Sequence, residues 1–168
     1  MKGKSKKSVG VIILSIIVSI VGLCCCIPLF INVWNATFKI FNSTTVENAG
    51  GFFDDYSDVK QYFKMDNQGF ADWASMIAGI MLIVALAAAV LYTIALIVEI
   101  CGKRNKSTKA VKFVSSLIML IAGIAIVVFT LMFVIPATNM YSMSMGTGAI
   151  LAIIFPTFAG LVGLLSAR

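Results

Sequence analysis

Residues 73–98 read WASMIAGIMLIVALAAAVLYTIALIV, and this run of 26 residues contains no charged side chain. Three further runs, residues 9–34, 113–135 and 148–165, are uncharged over 26, 23 and 18 residues. A helix rises about 1.5 Å per residue, so about 20 residues cross the roughly 30 Å hydrocarbon core of a bilayer. The run 9–21 shows no alternation of the kind that barrel strands require. The sequence therefore predicts an all-α, polytopic membrane protein whose four transmembrane helices form a bundle.

The overall composition agrees with this prediction. Of the 168 residues, 60% are apolar and only 12% are charged, whereas about 25% of the residues of a soluble protein are charged. A water-soluble sphere with this composition would leave large apolar patches in contact with water. We therefore expect a single membrane domain spanning residues 1–168.

The basic residues predict the orientation of this domain. Ten of the thirteen Lys and Arg residues lie in the N-terminal segment, in the 99–112 connection or at the C-terminus. Short segments rich in Lys and Arg stay in the cytoplasm. Both termini and the 99–112 connection are therefore predicted to be cytoplasmic, with the 35–72 loop and the 136–147 turn outside a cell (plasma) membrane. Residues 1–23 also fit a signal peptide, but the bulky Leu23 disfavours cleavage and favours retention as the first span.

Small residues recur along each predicted span at helical spacing. In lipid, helices associate where small side chains let their backbones approach closely. Steps of three and four residues average 3.5, the spacing of left-handed crossings near +20°. We also expect Pro28 and Pro156 to kink the first and fourth helices. The residues predicted to pack between helices are Ser15, Ser19, Gly22, Ala85, Ala88, Gly123, Ala152, Pro156, Ala159 and Gly163.

Glu99 is the single acidic residue on the predicted cytoplasmic side, and it continues the face of Ala85, Ala88 and Tyr92. A carboxylate inside a membrane is a candidate for an ion or proton pathway. Glu99 also lies four residues before Lys103, so a structural i, i+4 ion pair at the membrane interface is the alternative. We expect no second buried charge in the spans, which weakens the case for transport.

The cysteines are predicted to act as small packing residues. Cys24, Cys25 and Cys26 lie in the outer half of the first span and Cys101 at the inner end of the second, too far apart for a disulfide. Cys101, beside the basic connection, is an alternative palmitoylation site. The chain has no His and no CxxC motif, so we expect no zinc site and no cofactor.

The 35–72 loop is the one sizeable surface outside the membrane, and its many aromatic residues indicate partial structure. Trp34 to Phe41 alternates between apolar and polar residues, which predicts a short strand. Asp54 or Asp55 can cap a short helix, although a calcium site formed with Asp58 is an alternative. The predicted partner surface of this loop consists of Phe52, Phe53, Tyr56, Tyr62 and Phe63.

This layout of four spans, with a long first outer loop and a basic inner loop, resembles that of claudin-like tetraspan proteins. It is also similar to that of small bacterial membrane families of unassigned function. Claudins carry a Trp, a Gly-Leu-Trp motif and two cysteines in the first outer loop. In this chain Trp34 opens the loop and Trp73 closes it, but the motif and the loop cysteines are missing. The resemblance therefore implies a shared topology and no residue roles.

The sequence predicts a non-enzymatic protein that uses its outer loop and helix faces for structural or assembly contacts. Its partners would be the lipid bilayer and other membrane proteins or copies of itself, and no nucleic acid, because the basic residues are scattered. Catalysis needs paired acid–base or nucleophilic groups, which the spans do not present. The alternative is a small oligomeric channel, transporter subunit or membrane-permeabilising protein. For such a pore the polar candidates are few: Ser15, Ser19, Ser115, Ser116, Thr130 and Thr157.

Overall fold

The chain is a multi-pass membrane protein whose four long helices form a bundle, as predicted. The structure is a computed structural model, and it describes residues 9–31, 33–40, 43–53, 68–101, 106–133 and 141–167. Four helical segments in it are long and apolar enough to cross a membrane: Val9–Leu29, Ala74–Ile100, Lys106–Leu131 and Thr147–Ala167.

The four long helices do not coincide with the uncharged runs of the sequence, because the last three begin before their runs and the first ends before its run does. They are α1 (Val9–Leu23), α2 (Gln68–Ile100), α3 (Lys106–Phe133) and α4 (Thr147–Ala167). With 33 residues, α2 is about 50 Å long, so it projects beyond a hydrocarbon core of roughly 30 Å. The polar residues at the ends of these helices therefore belong to the helices and not to the connections.

The two prolines of the membrane segments lie in different settings. The first span changes after α1 into a 3₁₀ helix, Cys24–Leu29, which contains Pro28 and ends where Phe30 N donates to Ile27 O. Proline has no N–H, so it cannot continue the regular hydrogen bonding of an α-helix. Pro156, in contrast, lies inside α4, and the helix continues through it.

Neighbouring helices in the chain are neighbours in the bundle. α3 packs along both α2 and α4, and α1 closes the bundle against α4 and α2. The buried positions hold mainly alanine, glycine and serine, whereas many isoleucine, leucine and valine side chains lie on the outer surface. Lipid tails solvate large apolar side chains as well as a protein core does, so small residues are left to form the helix contacts.

A three-stranded antiparallel sheet lies at one end of the bundle. Its strands are β1 (Trp34–Ile40), β2 (Ser43–Gly50) and β3 (Tyr141–Met145), in the order β2-β1-β3. β1 is the strand predicted from alternation. β2 does not alternate, whereas β3 alternates between apolar and polar residues over its five positions and was not predicted. The sheet thus joins the first long loop to the short 136–147 connection.

The register of the sheet is regular along most of its length. β1 pairs with β2 from Ile40↔Ser43 to Asn35↔Asn48, after which the register shifts by one residue. β1 pairs with β3 from Phe38↔Tyr141 to Trp34↔Met145. Gly146 N donates to Val33 O at 2.7 Å, which ties the beginning of α4 to the beginning of β1. We call this the sheet end of the bundle.

Candidate functional site: a buried polar cluster

Five buried polar side chains gather at the end of the bundle opposite the sheet. They are Ser15 on α1, Tyr92 and Glu99 on α2, Lys112 on α3 and Ser166 on α4. Every helix of the bundle contributes at least one of them. We call this set the polar cluster.

Lys112 is the centre of the polar cluster. Its Nζ lies 3.3 Å from Glu99 Oε2 and donates a hydrogen bond to Ser15 Oγ at 2.8 Å. The same Nζ is 5.1 Å from the centroid of the Tyr92 ring, which is within the range of a cation–π interaction. An ammonium group has three donors and needs partners for them when it is buried. Here it finds a carboxylate, a hydroxyl and an aromatic face.

The Lys112–Glu99 pair is inaccessible to solvent. The side chains of Lys112 and Glu99 are 2% and 4% exposed. Removing two charges from water is costly, and their mutual attraction repays this cost only with good geometry and further hydrogen bonds. The pair therefore requires the surrounding helices to keep their positions.

A second set of hydrogen bonds connects α2 to α4. The Tyr92 hydroxyl is hydrogen-bonded to Ser166 Oγ, and Ser166 Oγ donates to Gly163 O at 2.9 Å. Since a serine hydroxyl has one proton, Tyr92 is the donor in the bond with Ser166. Tyr92 thus contacts the ammonium of α3 with its ring and the hydroxyl of α4 with its oxygen.

Helix periodicity explains why these residues meet. Tyr92 and Glu99 are seven residues apart on α2, so they lie two turns apart on one face. On α3, Lys112 precedes Ser116 by one turn, and Ser116 Oγ donates to Lys112 O at 2.7 Å. A Cβ at Gly163 of α4 would collide with the Ser116 side chain. Glycine at this position therefore allows α3 and α4 to approach closely beside the polar cluster.

The burial of Lys112 corrects two predictions. The sequence placed Lys112 in the cytoplasmic connection, and we expected no second buried charge besides Glu99. Lys112 is instead a buried residue in the second turn of α3 and is paired with Glu99. The residue predicted as the partner of Glu99, Lys103, lies outside the described residues. A usable signal existed, because Lys112 stands four residues before Ser116 and so extends the stripe of Ser116 and Gly123 by one turn.

The residues predicted to pack between helices all lie at buried positions. Among them, Gly22 lies against Ala89, and Gly123 lies against Thr157. Gly160 is not among the predicted packing residues, although a Cβ there would lie 2.5 Å from the backbone nitrogen of Leu120 on α3. The signal was its three-residue spacing from Gly163. The ten predicted residues found buried are Ser15, Ser19, Gly22, Ala85, Ala88, Gly123, Ala152, Pro156, Ala159 and Gly163.

The predicted partner surface of the first loop is described only at Phe52 and Phe53. Phe52 is 3% exposed and packs in the apolar core at the sheet end, so its side chain is not on the surface. Its carbonyl also accepts a hydrogen bond from Ser75 Oγ. Phe53 is 52% exposed, with its ring against Gly79. The other residues of this prediction and those of the alternative calcium site lie outside the described residues: Tyr56, Tyr62 and Phe63, and Asp54, Asp55 and Asp58.

The four cysteines are free thiols in different environments. Cys25 is buried in the apolar core at the sheet end, and Cys24 and Cys26 are half-buried. Cys101 follows α2 directly and is exposed. Within the described ranges, no three His, Cys, Asp or Glu residues are placed to share a metal ion.

An apolar cluster separates the polar cluster from the sheet end. It includes Val18, Ala88, Met119 and Ala159, and it surrounds the inner part of the Tyr92 side chain. The hydrogen bond between Ser19 and Thr93, at 2.9 Å, lies at the level of this cluster, because the two residues follow Val18 and Tyr92 in the chain. Closer to the sheet end, the hydroxyls of Thr130 and Thr157 are buried and have no hydrogen-bond partner among the described residues, so they do not extend the polar cluster.

The comparisons with known proteins assign no family. No protein-family model matches the chain, and no curated protein matches it.

Proposed function

We propose that this protein is a non-enzymatic component of membrane assemblies, which binds other membrane proteins or further copies of itself. The observation that carries the proposal is that the polar cluster is closed: its groups contact one another and are buried. A site that binds a substrate must present reactive or charged groups to it. Here such groups connect helices, which leaves the outer surfaces of the protein for function.

Two surfaces are available for assembly. The first is the outside of the bundle, where large apolar side chains such as Ile97 and Ile121 face outward. The second is the sheet end, where strands from the first long loop and from the 136–147 connection form one sheet. The arrangement of spans and loops resembles that of claudin-like proteins. This resemblance is part of the proposal, but it assigns no role to any residue.

The proposed orientation places the sheet end outside the cell and the polar cluster toward the cytoplasm. Lys106 and Lys109 on the first turn of α3 lie at the end opposite the sheet, in accordance with the positive-inside rule. The lysines before Val9 in the sequence support the same direction. The membrane in this proposal is the plasma membrane, with both termini in the cytoplasm.

Crosslinking in intact membranes tests the proposal. The full chain with a small affinity tag is crosslinked in its host membrane, extracted in mild detergent and purified. We expect defined species larger than the 18.0 kDa chain, present also without crosslinker on a native gel. Recovery of the monomer alone, at expression levels close to natural ones, would contradict an assembly role.

One observation favours a second candidate, a small oligomeric channel or transporter subunit. Lys112 and Glu99 form a charge pair in a membrane domain, and ionisable residues there often belong to ion or proton pathways. Ion flux into proteoliposomes separates the two candidates. An assembly component gives no flux above empty vesicles, whereas flux that is lost in a folded Glu99→Gln variant and kept in Lys106→Met would favour transport.

A further inference from the structure

Strand β2 forms an edge of the three-stranded sheet. Seven of its eight residues pair on one side with the central strand β1, and among the described residues no strand pairs with its other side. An edge strand presents N–H and C=O groups that another strand can bind. A partner that binds these backbone groups would therefore have to be an extended strand.

β2 also lacks most of the features that protect edge strands from pairing. Proteins protect such edges with lysine, proline, bulges or very short strands. The opposite edge, β3, has only five residues and is followed directly by Gly146 and α4. β2 contains no lysine and no proline, and its shift in register leaves only Ala49 unmatched. The segment Ser43–Asn48 is regular over six residues, and its second edge has no strand partner among the described residues.

We infer that Ser43–Asn48 pairs in antiparallel orientation with the same segment of a second copy of this chain. This inference rests on the proposed function and names its partner. The membrane holds every copy at the same height and in the same orientation, so identical edges meet at the same level. Two copies in one membrane are related by a two-fold axis along the membrane normal, and an edge pairs with itself about an axis normal to the sheet. The inferred dimer therefore has one six-stranded sheet that lies parallel to the membrane.

The backbone geometry restricts the register of this pairing. Along β2, alternate residues direct their N–H and C=O groups away from β1. In an antiparallel pair, a residue whose N–H and C=O point toward the partner strand lies opposite a residue whose groups do the same. In a strand paired with its own copy, the numbers of opposite residues therefore differ by an even number. The two-fold axis must therefore pass through a residue and not between two residues.

The single charge of β2 selects among these registers. An axis through Glu47 would place two carboxylates opposite each other, which is unfavourable. An axis through Thr45 places Glu47 opposite Ser43, and an axis through Val46 places it opposite Thr45. We therefore expect the symmetric pair to be formed by Thr45 or by Val46.

Single-cysteine crosslinking tests this register. The full chain with Cys101→Ser carries one new cysteine, Thr45→Cys or Val46→Cys, and is oxidised in its native membrane. Directly opposite residues have Cβ atoms about 4.5–5.5 Å apart, close to the distance that a disulfide requires. The matched controls are Thr37→Cys on the central strand and Ser144→Cys on β3. All variants keep the same cysteines in the first span, so their background is equal.

We expect disulfide-linked dimers in Thr45→Cys or Val46→Cys, at several times the yield in either control. Equal yields at all four positions would indicate random collision and would overturn the inference. Larger native complexes without a crosslink at β2 would overturn it as well, while leaving the proposed function in place. A monomer in every variant and on the native gel would overturn both.

Discussion

Replacing Lys112 by methionine removes one partner of the buried ion pair and keeps a side chain of similar length. Exposed ion pairs contribute only about 0–1 kcal/mol. The Lys112–Glu99 pair is a buried ion pair, because its two side chains are only 2% and 4% exposed. Lys112 Nζ lies 3.3 Å from Glu99 Oε2. Breaking a buried pair by removing one partner costs about 3–5 kcal/mol. The remaining Glu99 can take up a proton instead of staying charged, so we expect a loss of about 3 kcal/mol.

The double variant Lys112→Met/Glu99→Gln separates the ion pair from simple packing. It removes both charges, and replacing a whole buried pair by neutral groups is often close to neutral for stability. We expect it to be more stable than Lys112→Met by at least about 1 kcal/mol, which is a typical coupling energy for residues in contact. Lys106→Met is the matched control, since Lys106 is exposed on the same helix, and it should change stability by less than about 0.5 kcal/mol.

The assay is reversible unfolding in detergent, with increasing fractions of a denaturing detergent and the helical signal as readout. If Lys112→Met were as stable as the wild-type protein, the reasoning would be refuted, because removal of the partner of the buried Glu99 would then cost no stability. Strict additivity of Lys112→Met and Glu99→Gln in the double variant would refute the direct pairing.

Three further predictions concern packing, hydrogen bonding and orientation. Gly160→Ala should lower the stability by about 1–3 kcal/mol, because its Cβ would lie within 2.5 Å of the α3 backbone. Thermal unfolding measures this loss, with the lipid-facing Leu161→Ala as control. An equal effect of both variants would count against close packing at Gly160. Tyr92→Phe and Ser166→Ala should each lower the stability by about 0.5–1.5 kcal/mol. The double variant should lose about as much as one of them, because both substitutions remove the same hydrogen bond. Full additivity of the two losses in chemical unfolding would show that the residues act separately. Cys101, which is exposed, should react with a membrane-impermeant maleimide from the cytoplasmic face alone, and labelling of intact cells from outside would reverse the proposed orientation.

The bundle and its packing positions follow from local rules. Charges are excluded from the hydrocarbon core, so the four spans appear as uncharged runs. Small residues such as Ser15, Ala88 and Gly163 recur at helical spacing, and that spacing places them on one face of each helix. These signals lie within single segments, and for this reason the sequence alone was sufficient to predict them.

The polar cluster and most of the sheet depend on distant partners. Lys112 stands beside a basic connection, where a charge rule assigns it to water, and its burial becomes apparent only from its contacts with Glu99 and Ser15. The same holds for β3, whose five residues pair with a strand more than a hundred residues earlier in the chain. Tyr141–Met145 alternates between apolar and polar residues, but only over five positions, and its pairing with β1 becomes apparent only in the folded chain.

The mass of the protein in its native lipid tests the assembly role most directly. The chain is extracted from its membrane into nanodiscs without detergent, and its protein mass is measured by native mass spectrometry. The proposal predicts a mass of at least two chains of 18.0 kDa, or one chain with a stoichiometric membrane partner. A single chain of 18.0 kDa in every nanodisc would contradict it.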